Sequence, residues 1–114
     1  MKLSITLLRE HDRYEVRVPA FQESVLHSAF YAIPVSEQYL LVREVFEKDY
    51  VFMGEKNVLL ESLIFGIAKS SEEAEEELFA GANLEAHAIG RKTHLPVFNL
   101  LLPQLFSSRQ DQHI

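Results

Sequence analysis

Two stretches near the N-terminus alternate strictly between apolar and polar residues. Leu3, Ile5 and Leu7 are interleaved with Lys2, Ser4 and Thr6, and Tyr14, Val16 and Val18 with Glu15 and Arg17. A period of two is the pattern of a half-buried strand. Glu10-His11-Asp12-Arg13 between them is short and polar enough to connect a hairpin, and Pro19, which has no N–H for a ladder, ends the second strand. The expected register turns Leu3, Ile5, Leu7, Tyr14, Val16 and Val18 to the core, since a one-residue slip would bury Glu15 and Arg17 instead.

Beyond this hairpin the apolar spacing lengthens. Phe21, Val25, Leu26, Ala29, Phe30 and Ile33 form a helical stripe that Pro34 would close. Ser36-Glu37-Gln38 resembles a helix start, and Arg43–Glu47 and Glu44–Lys48 are i, i+4 pairs, which predicts a helix over 37–48 and a short strand over 50–53. The many β-branched and aromatic residues support a rival reading, a second hairpin at 39–53 turning at Glu47-Lys48-Asp49. Gly54-Glu55-Lys56-Asn57 is expected to be a turn, with Asn57 capping a helix whose stripe is Leu59, Leu60, Leu63, Ile64 and Ile67.

Ser70 and Glu73 make a capping box for a further helix over 71–90. Gly81 weakens that helix by about 1 kcal/mol relative to Ala and is placed to divide it, while Gly90 is placed to stop it. Between Pro96 and Pro103 the run Val97-Phe98-Asn99-Leu100-Leu101-Leu102 suits either a short helix or a buried strand. The polar tail 107–114 is expected to fray. The fold class that follows is α+β, one domain over 1–114, with an antiparallel hairpin packed on four or five helices. The alternative order is β-β-α-β-β-α.

Composition narrows the function classes. The 114 residues include no cysteine, which excludes a disulfide scaffold, thiolate metal sites and a cysteine nucleophile. The net charge is −6, of which Glu72, Glu73, Glu75, Glu76 and Glu77 account for −5. No basic face for phosphate neutralisation remains, so direct nucleic-acid binding is not expected. The glutamate run suits the solvated first turns of a helix and is expected to be dispensable for folding; its sharper reading is an acidic patch imitating nucleic-acid phosphates. The N-terminal residues alternate rather than forming an export signal, and no apolar run of about 18 residues occurs. A cytosolic protein without a membrane span is expected.

Candidate chemistry is sparse. His11-Asp12 is a turn pair. His87 and His94, with Glu85 nearby, do not have the spacing of a metal-binding pair. Glu23, His27 and Tyr31, four residues apart on the presumed first helix, can form a proton-transfer set but also describe an ordinary solvated face. No nucleophile elbow, phosphate-binding loop, dinucleotide fingerprint or zinc-protease motif is present. Neither catalytic residues, a metal nor a cofactor is therefore assigned.

The remaining feature is apolar surplus. Leu95–Phe106 is nearly all apolar, and Phe98, Leu101, Leu102, Leu105 and Phe106 are the candidate interface residues. The expected function is a small non-enzymatic interaction module that self-associates, or binds a protein partner, through this segment. The alternatives are a small-molecule binder with an aromatic-lined pocket and the acidic phosphate mimic.

Overall fold

In the computed structural model, which describes residues 3–19, 24–51 and 54–100, the chain is a six-stranded sheet with one helix on it. The strands are β1 (Ile5–Glu10), β2 (Arg13–Val18), β3 (Ser24–Val35), β4 (Gln38–Val51) and β5 (Gly54–Ala68), followed by helix α1 (Ser71–Thr93) and strand β6 (Val97–Leu100). The spatial order is β5-β4-β3-β2-β1-β6. Strands β1 to β5 form an antiparallel meander, and β6 lies parallel to β1. Helix α1 carries the chain from one edge of the sheet to the other. At 1.5 Å per residue its 23 residues run ~34 Å, enough to cross the ~24 Å of five strand spacings obliquely.

The expected hairpin on four or five helices is overturned, and so is the β-β-α-β-β-α alternative. Residues of the presumed first helix, Ser24 onward, form β3, and the presumed helix 37–48 lies in β4 from Gln38 onward, with Glu37 in the turn before it. Glu47, Lys48 and Asp49 do not turn; they pair with Val58, Asn57 and Lys56. Gly54–Asn57 and the Leu59–Ile67 stripe are both part of β5. The physical reason is that β3 and β4 are interior strands with apolar residues on both faces. Such strands lose the period-two alternation and imitate a helical stripe.

In β5 the cause is different. Leu41 pairs with Gly66 but Val42 with Ile64, and Val45 pairs with Glu61 but Phe46 with Leu59, so Phe65 and Leu60 are extra residues at two bulges. Each bulge shifts the alternation by one, and the result reads as i, i+4, i+5.

Ser36 and Glu37 join β3 to β4 as a two-residue turn with φ of 44° and 59°. Two positive φ values define the mirror-image turn that suits strand twist, normally made by Asn-Gly. Ser-Glu gives no such signal, and this hairpin was therefore illegible as a hairpin.

The core lies between the sheet and α1. Ile5, Leu7, Tyr14, Val16, Phe30, Leu41 and Ala68 meet Ala74, Leu78, Ala82 and Ala86, all buried. Val18 is packed against the same cluster, while Leu3 is exposed. The helix contributes small side chains at a spacing of four, which lets its backbone lie close to the sheet.

Helix α1 begins as the capping pattern predicts, with Ser70 Oγ accepting from the Glu73 N–H at 3.0 Å. Glu73 Oε2 in turn accepts from the N–H of Lys69, one residue before the cap. Gly81 does not break the helix and Gly90 does not end it. A Cβ on Gly81 would stand 3.2 Å from the Phe30 ring, and one on Gly90 only 2.9 Å from the Leu95 carbonyl oxygen. Both glycines answer to close packing, and the helix ends instead at His94, a left-handed cap with φ 60°.

Candidate functional site

Register divides the sheet into two faces. On β2, Tyr14, Val16 and Val18 point to α1 and Arg13, Glu15 and Arg17 away from it. Pairing carries this across to His27, Ala29 and Tyr31 of β3 and to Val42, Glu44 and Phe46 of β4. No described element packs on this second face. Even so, Leu8, Glu15, His27, Ala29, Val42 and Phe46 are each at most 9% exposed.

At its centre is a charged cluster around Glu15. Arg17 Nη2 and Nε both lie 3.1 Å from Glu15 Oε1, and His27 Nδ1 lies 3.7 Å from the same oxygen. Arg13 Nε is 3.8 Å from Glu15 Oε2, and its Nη2 is 3.9 Å from Glu44 Oε1. The Tyr31 hydroxyl donates to Glu44 Oε2 at 2.7 Å, and the Arg13 guanidinium sits 5.6 Å above the Tyr31 ring. The His27 ring leans on Phe46, centroids 5.1 Å apart.

His27, together with the charges of Arg17 and Arg13, holds the Glu15 carboxyl down at about 2, against burial, which acts in the other direction. Glu44 pushes the Tyr31 hydroxyl up, because ionising it would place two anions together.

Beside this cluster is a cleft of about 300 Å³ lined by Arg13, Glu15, Glu44, Phe46, Lys48, Asn57 and Leu59. Two buried side-chain nitrogens in the described residues have no hydrogen-bond partner, Arg13 Nε and His27 Nδ1. Both flank Glu15. An unpartnered buried donor costs ~1–3 kcal/mol, so such atoms are uncommon in a relaxed interior.

Of the residues singled out from sequence, His27 and Tyr31 do share one face, but the face of a strand. Their carboxylate partners are Glu15 and Glu44 from the neighbouring strands, and Glu23 lies outside the described residues. Arg13, Glu15, Arg17 and Glu44 were missed as site residues because only strand pairing brings them together. His11 is in the β1–β2 turn, His94 caps α1 and His87 is exposed on it. No group of three or more metal-ligating side chains occurs among the described residues.

The acidic run divides. Glu72, Glu73, Glu76 and Glu77 are exposed, whereas Glu75 turns inward. Its carboxylate accepts from Arg9 Nε at 2.7 Å and Nη2 at 2.9 Å, and from the Tyr14 hydroxyl. Burial, followed by the bond to Glu75, pushes the Tyr14 hydroxyl up to about 12. Glu75 is thus a fastening between helix and hairpin, not a member of a uniformly solvated patch. On the other half of α1, Glu85 accepts from Arg43 Nε at 2.6 Å in the same manner.

Of the candidate interface residues, Phe98 is 55% exposed on β6, facing away from α1, while Leu101, Leu102, Leu105 and Phe106 lie outside the described residues. The larger exposed apolar surface is on β5, where Leu59, Leu60, Leu63, Ile64 and Ile67 are each more than half exposed. No protein-family model matches this chain, and neither a curated protein nor a solved structure matches it. No described helix is long and apolar enough to cross a membrane.

Proposed function

We propose that this protein is a small self-associating interaction domain in which two copies pair along β5 about a two-fold axis. The observation that supports this reading is a mismatch between β5's position and its sequence. It is the edge of the sheet, yet it carries exposed apolar side chains on both faces: Leu59, Ile64 and Ile67 away from α1, Leu63 and Phe65 on the helix side. Edge strands are ordinarily short or blunted by charge and proline. Over Val58–Ala68 this one has a single charged residue, Glu61, and no proline.

A strand apolar on both faces is the pattern of a sheet interior. A second β5 placed antiparallel beside the first would make it interior and continue the sheet across both copies. Six half-exposed large side chains leave roughly 500–600 Å² of apolar surface on this strand, at the upper limit for an ordinary monomer. With the backbone edge and polar rim added, the contact approaches the ~800 Å² per partner of a standard interface. Closed two-fold dimers are the commonest homo-oligomers.

The test is the mass in solution of the wild type and of the double variant Leu63→Lys, Ile64→Lys, measured by sedimentation with circular dichroism as a control for folding. The wild type is expected as a dimer of the 13.1 kDa chain and the variant as a folded monomer. A wild type that stays monomeric at several hundred micromolar overturns the reading. A Phe98→Lys variant separates it from association through the C-terminal segment, which begins at the opposite edge of the sheet. Loss of the dimer in that variant alone would assign the interface there.

A further inference from the structure

We infer that the C-terminal segment of this chain, from Pro103 onward, crosses the open face of the sheet and covers it, with Leu105 and Phe106 seated against Leu8 and Ala29. The inference goes beyond self-association and does not depend on it, because the segment follows β6 and β5 lies at the opposite edge. The open face is more buried than the described elements account for. An antiparallel sheet packed on one side ordinarily turns solvated side chains to water on the other. Here strand pairing sets Leu100, Leu8, Glu15, Ala29, Glu44 and Ser62 in one row across that face, from β6 to β5. Leu100 is exposed at the start of the row, Leu8 and Glu15 are buried, and Ala29 is 0% exposed. Longer neighbours can lean over a methyl group, but Leu8 on one side and Val42 on the other are themselves buried. This burial belongs to a single chain, which favours the chain's own segment over a second copy as the cover.

Length decides which segment. Residues 20–23 and 52–53 are tied at both ends to neighbouring strands, and Ala29 lies ~17 Å along β3 from Ser24, Val42 ~30 Å along β4 from Val51. The segment after Leu100 is long enough and starts at the end of the row. Beyond Leu8, β1 has only Arg9 and Glu10 to pair before the turn at His11-Asp12, so the β6 ladder can take in residues 101 and 102 at most. Pro103 has no N–H for a ladder. From there to Phe106 an extended chain covers ~13 Å, nearly the three strand spacings from β6 to β3, where Ala29 lies. The order of residue types matches the row. Leu105 and Phe106 fall over Leu8 and Ala29, and the polar run from Ser107 to His113 falls over Glu44 and Ser62. Glu15 tolerates the cover because Arg17, Arg13 and His27 surround its carboxylate.

The experiment exploits the lack of cysteine: Ser107→Cys introduces the sole thiol of the full-length chain, which takes a nitroxide spin label. Amide intensities of the isotopically labelled protein are compared with the nitroxide oxidised and reduced. Ala29 and Val42 are expected to lose more than half their intensity, while Glu72 and Glu76, at the start of α1 on the other side of the sheet, keep theirs. In the wild type, Overhauser contacts are expected from the Leu105 or Phe106 side chain to the Ala29 or Val42 methyl groups. Broadening that fades from β6 to β1 and spares Ala29 and Val42 overturns the proposal, because a tethered but undocked segment gives that gradient; so does the absence of the Overhauser contacts. A mixture of spin-labelled protein at natural isotopic abundance with isotopically labelled wild type tests the occupant. Glu15 should keep its intensity there, and a loss equal to that within one chain would assign the cover to a second copy and overturn the proposal.

Discussion

Glu15 is the residue whose environment departs furthest from what its local sequence suggests. It alternates with Val16 on a strand and so belongs to the polar face, yet it is 7% exposed and surrounded by Arg13, Arg17 and His27. Its carboxyl titrates at about 2 in the folded chain, below its ordinary value of 4.5. A depressed carboxyl stabilises the fold above the unfolded value, and that contribution is lost as pH falls through the folded one. Stability should therefore decline between about pH 4.5 and 2, by on the order of 2 kcal/mol more than in a Glu15→Gln variant, whose side chain does not titrate. Denaturant titrations of both proteins across that range measure the difference, and parallel pH profiles would show that Glu15 is not the group responsible.

At the scale of elements, what could be read from the sequence was what depends on near neighbours. The β1–β2 hairpin alternates because its residues meet α1 on one side only, and the α1 start was visible because Ser70 and Glu73 act within one turn. Strands β3, β4 and β5 depend on partners far along the chain, and their double-sided apolar patterns and two bulges imitate helices. The site shared that fate: His27 and Tyr31 stood out as a pair, but Arg13, Glu15 and Glu44 join them only once β2, β3 and β4 are side by side. The Ser36-Glu37 turn offers a direct test of this account. Two L-residues other than Asn or Gly in left-handed geometry cost free energy, about 1–2 kcal/mol each in the general case. Ser36→Asn with Glu37→Gly should raise stability by about 1 kcal/mol, or ~4 °C in Tm, read by thermal melting. An unchanged or lower Tm would mean that the turn is not strained as its dihedrals indicate.

At the scale of the whole molecule, two ion pairs spaced along α1, Arg9–Glu75 and Arg43–Glu85, fasten the helix to opposite halves of the sheet. Between them lies the small-residue core. The five-strand meander can form from hairpins alone, each closing a short loop. The pairing of β6 with β1 is unlike them, since Val97 meets Ile5 and the Ile5 N–H donates to the Pro96 carbonyl at 2.9 Å, about ninety residues apart in the chain. Closing so long a loop is entropically unfavourable until the intervening structure has already brought its ends together. The seam between β6 and β1 should then form after the rate-limiting step. Val97→Ala is expected to hasten unfolding while leaving the refolding rate nearly unchanged, a φ-value of about 0–0.3, whereas Leu41→Ala in the β3–β4 hairpin should slow refolding. Stopped-flow chevrons distinguish the two, and slower refolding of Val97→Ala would place the seam in the nucleus. The strand that completes the sheet would thus govern how long the native state lasts, while the meander governs how quickly it is reached.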